Sequence, residues 1–178
     1  MLTAAPVAGI EVRRAGDGAV TLRGSFPYGV PTALAPGRRE VFAAGALSWK
    51  DDVHLLSQHE FGKPLASRTA RSLDLHNGED ALEFEARLSA RVLATQAAAD
   101  ALALIEEGLA AGVSPGFVVA PGGETVTAEG GGLLRTIRRA ELVELSIVTR
   151  AAYPAASVAA RCWSPAPAVR PAVLRWRA

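Results

Sequence analysis

Three residues have types and spacings that could do nucleophilic chemistry together: Ser114, His59 and Glu144. Ser114 lies in Gly112-Val113-Ser114-Pro115-Gly116-Phe117, a G-x-S-x-G arrangement. A serine hydroxyl becomes a useful nucleophile when a neighbouring base takes its proton, and histidine titrates in the right range. The chain holds three histidines. His59 follows the apolar run 53–57, His54 lies inside that run, and His76 sits beside Asn77-Gly78, where solvent exposure is expected. On a strand a separation of five puts His54 and His59 on opposite faces, which argues against a shared metal. Glu144 lies within the largely apolar stretch 142–149. A carboxylate there is costly to bury without a donor. An imidazole N–H would serve, and the same bond would leave the other ring nitrogen free to accept the serine proton.

Each residue alone has an ordinary alternative. A serine between glycine and proline often only satisfies backbone groups. A single histidine can be structural, and Glu144 can be solvated or paired with Arg135, Arg138 or Arg139. Pro115 lacks an N–H, so the residue after Ser114 cannot donate to an oxyanion. The Gly116 N–H, the backbone of 134–139, and the Arg138–Arg139 pair are the remaining candidates for that role and for substrate binding.

The elements that must position these groups are mostly strands. Residues 20–26 alternate and meet Pro27, and 53–57 is a short apolar run. Residues 71–76 and 81–88 flank Asn77-Gly78, a dipeptide suited to the positive φ of a hairpin turn. In the second arm Leu82, Phe84, Ala86 and Leu88 share one face, with Glu83, Glu85 and Arg87 on the other. One strong helix follows: Thr95 can cap it, Ala98, Leu102, Ile105 and Leu109 make its apolar stripe, and Gly112 is placed to end it. Gly108 inside it costs about 1 kcal/mol relative to alanine. Strands are expected at 117–120, 125–128 and 142–149, with a glycine cluster at 130–132 leading into 133–139; the strand at 142–149 has Val143, Leu145 and Ile147 on one face and Glu144 and Ser146 on the other. A helix before the serine and a strand after it reverse the order of an α/β-hydrolase elbow, which excludes that fold. Many short strands around one good helix indicate a β-rich α+β fold, a partly closed antiparallel barrel with few helices.

At 178 residues, 49% hydrophobic and 21% charged, the chain suits one domain with a substantial core. The expected division is a domain over 1–160 and a Pro/Arg-containing tail over 161–178. Arg161, Arg170, Arg175 and Arg177 give that tail +4 with no acid, against −3 for the rest. A solvated tail and a peptide docking on a capsid or scaffold surface both fit this charge. The net charge of +1 singles out neither a nucleic-acid partner nor an acidic one. The lone Cys162 excludes an internal disulfide and fits a reducing compartment. The first ten residues lack a basic flank, so no signal peptide is expected, and no apolar run is long enough to span a membrane.

The ordered set resembles the prohead (procapsid) maturation serine proteases of tailed phages, relatives of the herpesvirus assemblin. It comprises a leucine-rich strand ending in His59, Pro64-Leu65, a hairpin, an Ala-rich helix, the motif at 112–117 and the L-x-E-x-S-x-V-T strand at 142–149. The likeness runs from about Gly24 to Val158. It implies a herpesvirus-protease-like fold and a Ser–His–acid endopeptidase enclosed in the immature capsid of a phage or prophage in the host cytoplasm. The nucleophile falls on Ser114, the base on His59 and the third member on Glu144, with Glu141 in reserve. No metal or cofactor is implied. The partners implied are the major capsid protein or its scaffolding segment, with autocleavage, and a homo-oligomer is expected. The rival reading is a catalytically inactive capsid-assembly or scaffold-binding domain of the same fold.

Overall fold

A computed structural model of the chain describes residues 10–149. The proposed boundary at residue 160 and the basic tail lie outside the described residues. Numbered in chain order, the described residues form two helices and thirteen strands, the strands arranged in three sheets, none of which closes on itself. The first sheet has the order β1 (Ile10–Arg14), β2 (Val20–Pro27), β9 (Ala81–Leu88), β8 (Leu73–Asn77). The second places β11 (Glu124–Glu129), β12 (Gly132–Ile137), β4 (Arg38–Phe42) and β3 (Thr32–Ala35) side by side. The third runs β10 (Gly112–Val119), β13 (Ala140–Val148), β6 (His54–Ser57), β7 (Glu60–Ser67), with the short β5 (Leu47–Ser48) also on β13. The β-rich α+β class is what forms, with open sheets.

Alternation explains the sidedness of the strands. Leu82, Phe84, Ala86 and Leu88 of β9 are all buried, as their period-two spacing predicts. One aromatic chain ties the sheets together. Phe26 of β2, Phe42 of β4 and Phe117 of β10 stack edge to face, with centroids 5.1 and 4.9 Å apart. Such pairs contribute about 0.5–1.5 kcal/mol each beyond area burial.

Helix α1 (Ala90–Leu93) is short; α2 (Gln96–Glu106) begins as expected, with the Thr95 side chain accepting from the Ala98 N–H. Ala98, Ala101, Leu102 and Ile105 form its buried face, which packs on β6 and β7. Its end differs from the expectation. Gly108, at φ 71°, terminates α2, with Gly108 N–H donating to Ile105 O and Leu109 N–H to Leu104 O. This is the left-handed stop that satisfies the last carbonyls. Leu109 is therefore exposed and off the stripe, and Gly112 starts β10 instead.

The β8–β9 hairpin forms, but without positive φ at Asn77 or Gly78. Asn77 is held in β8 because its amide is used elsewhere. It accepts from the Tyr28 hydroxyl at 2.6 Å and donates to Leu47 O at 2.5 Å.

The strand β13 also departs from simple alternation. Gly116 pairs with Glu144 and Phe117 with Leu142, so Val143 is an extra residue in β13, a β-bulge. Leu142 joins Leu145 and Ile147 in the core, whereas Val143 is 39% exposed rather than sharing their face. The bulge lets Leu142 and Leu145, three residues apart, point into the same core.

Candidate active site

The third sheet gathers the sequence candidates on its other face. In the antiparallel pairing of β10 with β13, Ser114 lies opposite Ser146 and Gly116 opposite Glu144. Directly opposed residues project to the same side with Cβ atoms about 4.5–5.5 Å apart. Val113 and Ile147, the adjacent pair, go to the core. Ser114 is thus the third residue of a strand, not part of a turn, and it is 1% exposed. Among the described residues β10 is an edge strand. Pro115 is tolerable there because an edge strand can leave a ladder position without a donor.

His59 arrives from the adjacent strand. β6 runs parallel to β13, and the turn after it closes with Ser57 opposite Glu60. The two residues between, Gln58 and His59, have φ of 56° and 61°. Positive φ at both positions is the type I′ form of a two-residue hairpin turn, and non-glycine residues there cost of order 1–3 kcal/mol each. Tertiary hydrogen bonds hold the turn. Gln58 N–H donates to Ile147 O at 2.9 Å, and His59 N–H donates to Ser146 Oγ at 3.0 Å.

The imidazole then meets Glu144. His59 Nδ1 lies 2.7 Å from Glu144 Oε1, and Ser146 Oγ donates to Oε2 at 2.6 Å. An ionised carboxylate only accepts, so Nδ1 carries a hydrogen towards Glu144, and in the neutral imidazole Nε2 is then the nitrogen with the lone pair. Glu144 is 4% exposed, and these two donors offset the cost of burying it. Its space comes from Gly116: a Cβ on that residue would lie 2.2 Å from Glu144 Oε1. The second glycine of G-x-S-x-G is therefore required by close approach to the carboxylate.

Among the described residues, His59 Nε2 is the one buried side-chain polar atom without a hydrogen-bond partner. It makes no hydrogen bond to Ser114. A basic nitrogen held without a partner, on the sheet face that carries a buried serine, is equipped to accept a proton.

The other candidates lie elsewhere. Glu141 pairs with Val118, three residues from Glu144. Arg139 N–H and Arg138 N–H both donate to Gly123 O, and the Arg139 side chain donates to Pro121 O. Ala120 N–H donates to Arg139 O, six residues along the chain from Ser114, or about 20 Å of extended strand. The structure does not bring this pair to the serine. His54 Nε2 is 3.7 Å from Asp52, and His76 is exposed as expected. Ser146 is the member that sequence reasoning passed over. Its only local signal is its spacing of two from Glu144, which puts both on one face. Among the described residues no cluster of His, Cys, Asp and Glu is arranged to hold a metal, and no helix is long and apolar enough to cross a membrane.

Over residues 10–168 the sequence matches the family model of the caudovirus prohead serine protease. Neither a curated protein nor a solved structure matches it. The match covers most of the chain, which therefore belongs to the caudovirus prohead serine proteases.

Proposed function

We propose that the protein is a Ser–His–Glu endopeptidase that matures a phage procapsid from within, cutting the scaffolding region of the major capsid protein and its own chain. The observation that supports the catalytic assignment is the 2.7 Å contact of His59 Nδ1 with Glu144 on the face that Ser114 shares. His59 Nε2 accepts the Ser114 proton as Oγ attacks the scissile carbonyl, forming the C–O bond of a tetrahedral intermediate. Glu144 stabilises the imidazolium. The imidazolium then protonates the departing amine as the C–N bond breaks, leaving an acyl-enzyme. Water, deprotonated by Nε2, releases the new carboxylate and restores Ser114. Pro115 cannot donate to the oxyanion, so that stabilisation, worth about 2.7–4 kcal/mol per donor, falls to other N–H groups. The missing Ser114–His59 bond fits a resting enzyme, because catalytic hydrogen bonds often tighten only with substrate.

A fluorophosphonate probe tests the chemistry: the wild-type chain is labelled on Ser114, and Ser114→Ala is not. A folded, assembled wild-type protein that takes no label would favour the inactive assembly domain instead. Co-expression with a major capsid protein that carries its scaffolding segment tests the substrate. A shortened capsid protein should appear with the wild type and be absent with Ser114→Ala.

A further inference from the structure

Ser146 is fully buried and makes two bonds with one hydroxyl. Its hydrogen goes to Glu144 Oε2, and its lone pair receives the backbone N–H of His59. His59, the residue donating that second bond, occupies a left-handed conformation that an L residue adopts only under constraint. The same hydroxyl therefore touches both halves of the His59–Glu144 pair, fixing the carboxylate on one side and the histidine backbone on the other. Neither bond could be supplied from solvent, since Ser146 is sealed between Ser114 on β10 and Leu56 on β6.

We propose that Ser146 is a positioning residue of the protease: it locks the 58–59 turn onto β13 so that the His59 ring is held against Glu144 with Nε2 directed to the nucleophile's face. The inference rests on the Ser114–His59–Glu144 reading above. A misplacement of about 1 Å in a catalytic group can cost about 100-fold in rate. Ser146→Ala deletes both bonds while leaving the strand intact.

The test is the rate of fluorophosphonate labelling of Ser114, with folding checked by thermal melting. Ser146→Ala should label about 10–100-fold more slowly, in the maximal rate constant and not in the probe's half-saturating concentration. Glu144→Gln combined with Ser146→Ala should label no more slowly than Glu144→Gln alone, within about twofold, because both act through the same imidazole. A folded Ser146→Ala chain that labels at the wild-type rate overturns the proposal, and so do losses that multiply in the double variant. If Ser146→Ala does not fold, Ser146→Cys decides, since it keeps the shape but is only a weak donor. Slow labelling supports the lock, and wild-type labelling removes it. A wild-type chain that takes no label fails at the first arm and brings down the catalytic reading itself, a result separable from a defect confined to the Ser146 variants.

Discussion

Two glutamates are buried in the sheets of this protein, and they are treated in opposite ways. Glu40 of β4, 1% exposed, meets Arg135 Nη1 of β12 at 2.8 Å, and the same guanidinium reaches Glu124 of β11 through Nε at 2.6 Å. A planar fork with several donors thus serves two carboxylates and fastens three neighbouring strands. Glu144 faces a similar desolvation cost but has a histidine and a serine for partners, and the histidine keeps one nitrogen unpaired. An arginine would have satisfied Glu144 more completely and left nothing to react. The difference between a strut and the proposed active site is that single unpaired atom.

Substitutions at the two sites should therefore separate activity from stability. Glu144→Gln keeps the shape but lets the imidazole take the wrong tautomer. Ser114 labelling should fall about 10³–10⁴-fold, with stability in denaturant titration changing by about 1 kcal/mol or less. Arg135→Met should do the reverse. It removes the guanidinium that bridges buried Glu40 and Glu124 and should cost about 3–5 kcal/mol, while folded molecules label within about twofold of wild type. Equal losses of labelling in both variants would break the contrast. Gly116→Ala tests how tightly Glu144 is seated. The added methyl displaces the carboxylate, so labelling should fall about 100-fold, and a wild-type rate would mean that Glu144 has room to spare. Gly108→Ala lies at neither site and strains only the left-handed end of α2. Its expected cost is about 1 kcal/mol in melting experiments, with labelling unchanged.

What was legible in the sequence was what short-range periodicity and composition encode. The inward face of β9, the Thr95 cap and the placement of strands around one main helix follow from spacing alone. Glu144 stands out because a charge in an apolar strand asks for a donor, and one of its two donors is an imidazole from 85 residues away. The errors have a common origin in contacts between distant segments. Asn77-Gly78 has the composition of a tight turn, yet Tyr28 and Leu47 claim the Asn77 amide and keep it extended. Gly108 and Gly112 are both able to stop a helix, and the choice depends on where β10 must start to pair with β13. Glu40 and Arg135 are 95 residues apart, with nothing local to link them. Ser146 is hidden for another reason: a serine on a strand face carries no mark of whether its hydroxyl meets water or a buried histidine–glutamate pair.

The extra residue in β13 has a consequence for how this chain can vary through time. Val143 is partly in solvent, so many side chains should be acceptable at that position. Losing the codon is another matter, because a strand one unit shorter must either drag Leu142 out of the interior or turn the glutamate away from its histidine. Lineages of this protein should therefore accept spelling changes at position 143 and refuse its deletion. What the site needs there is a residue, of almost any kind, to keep the count.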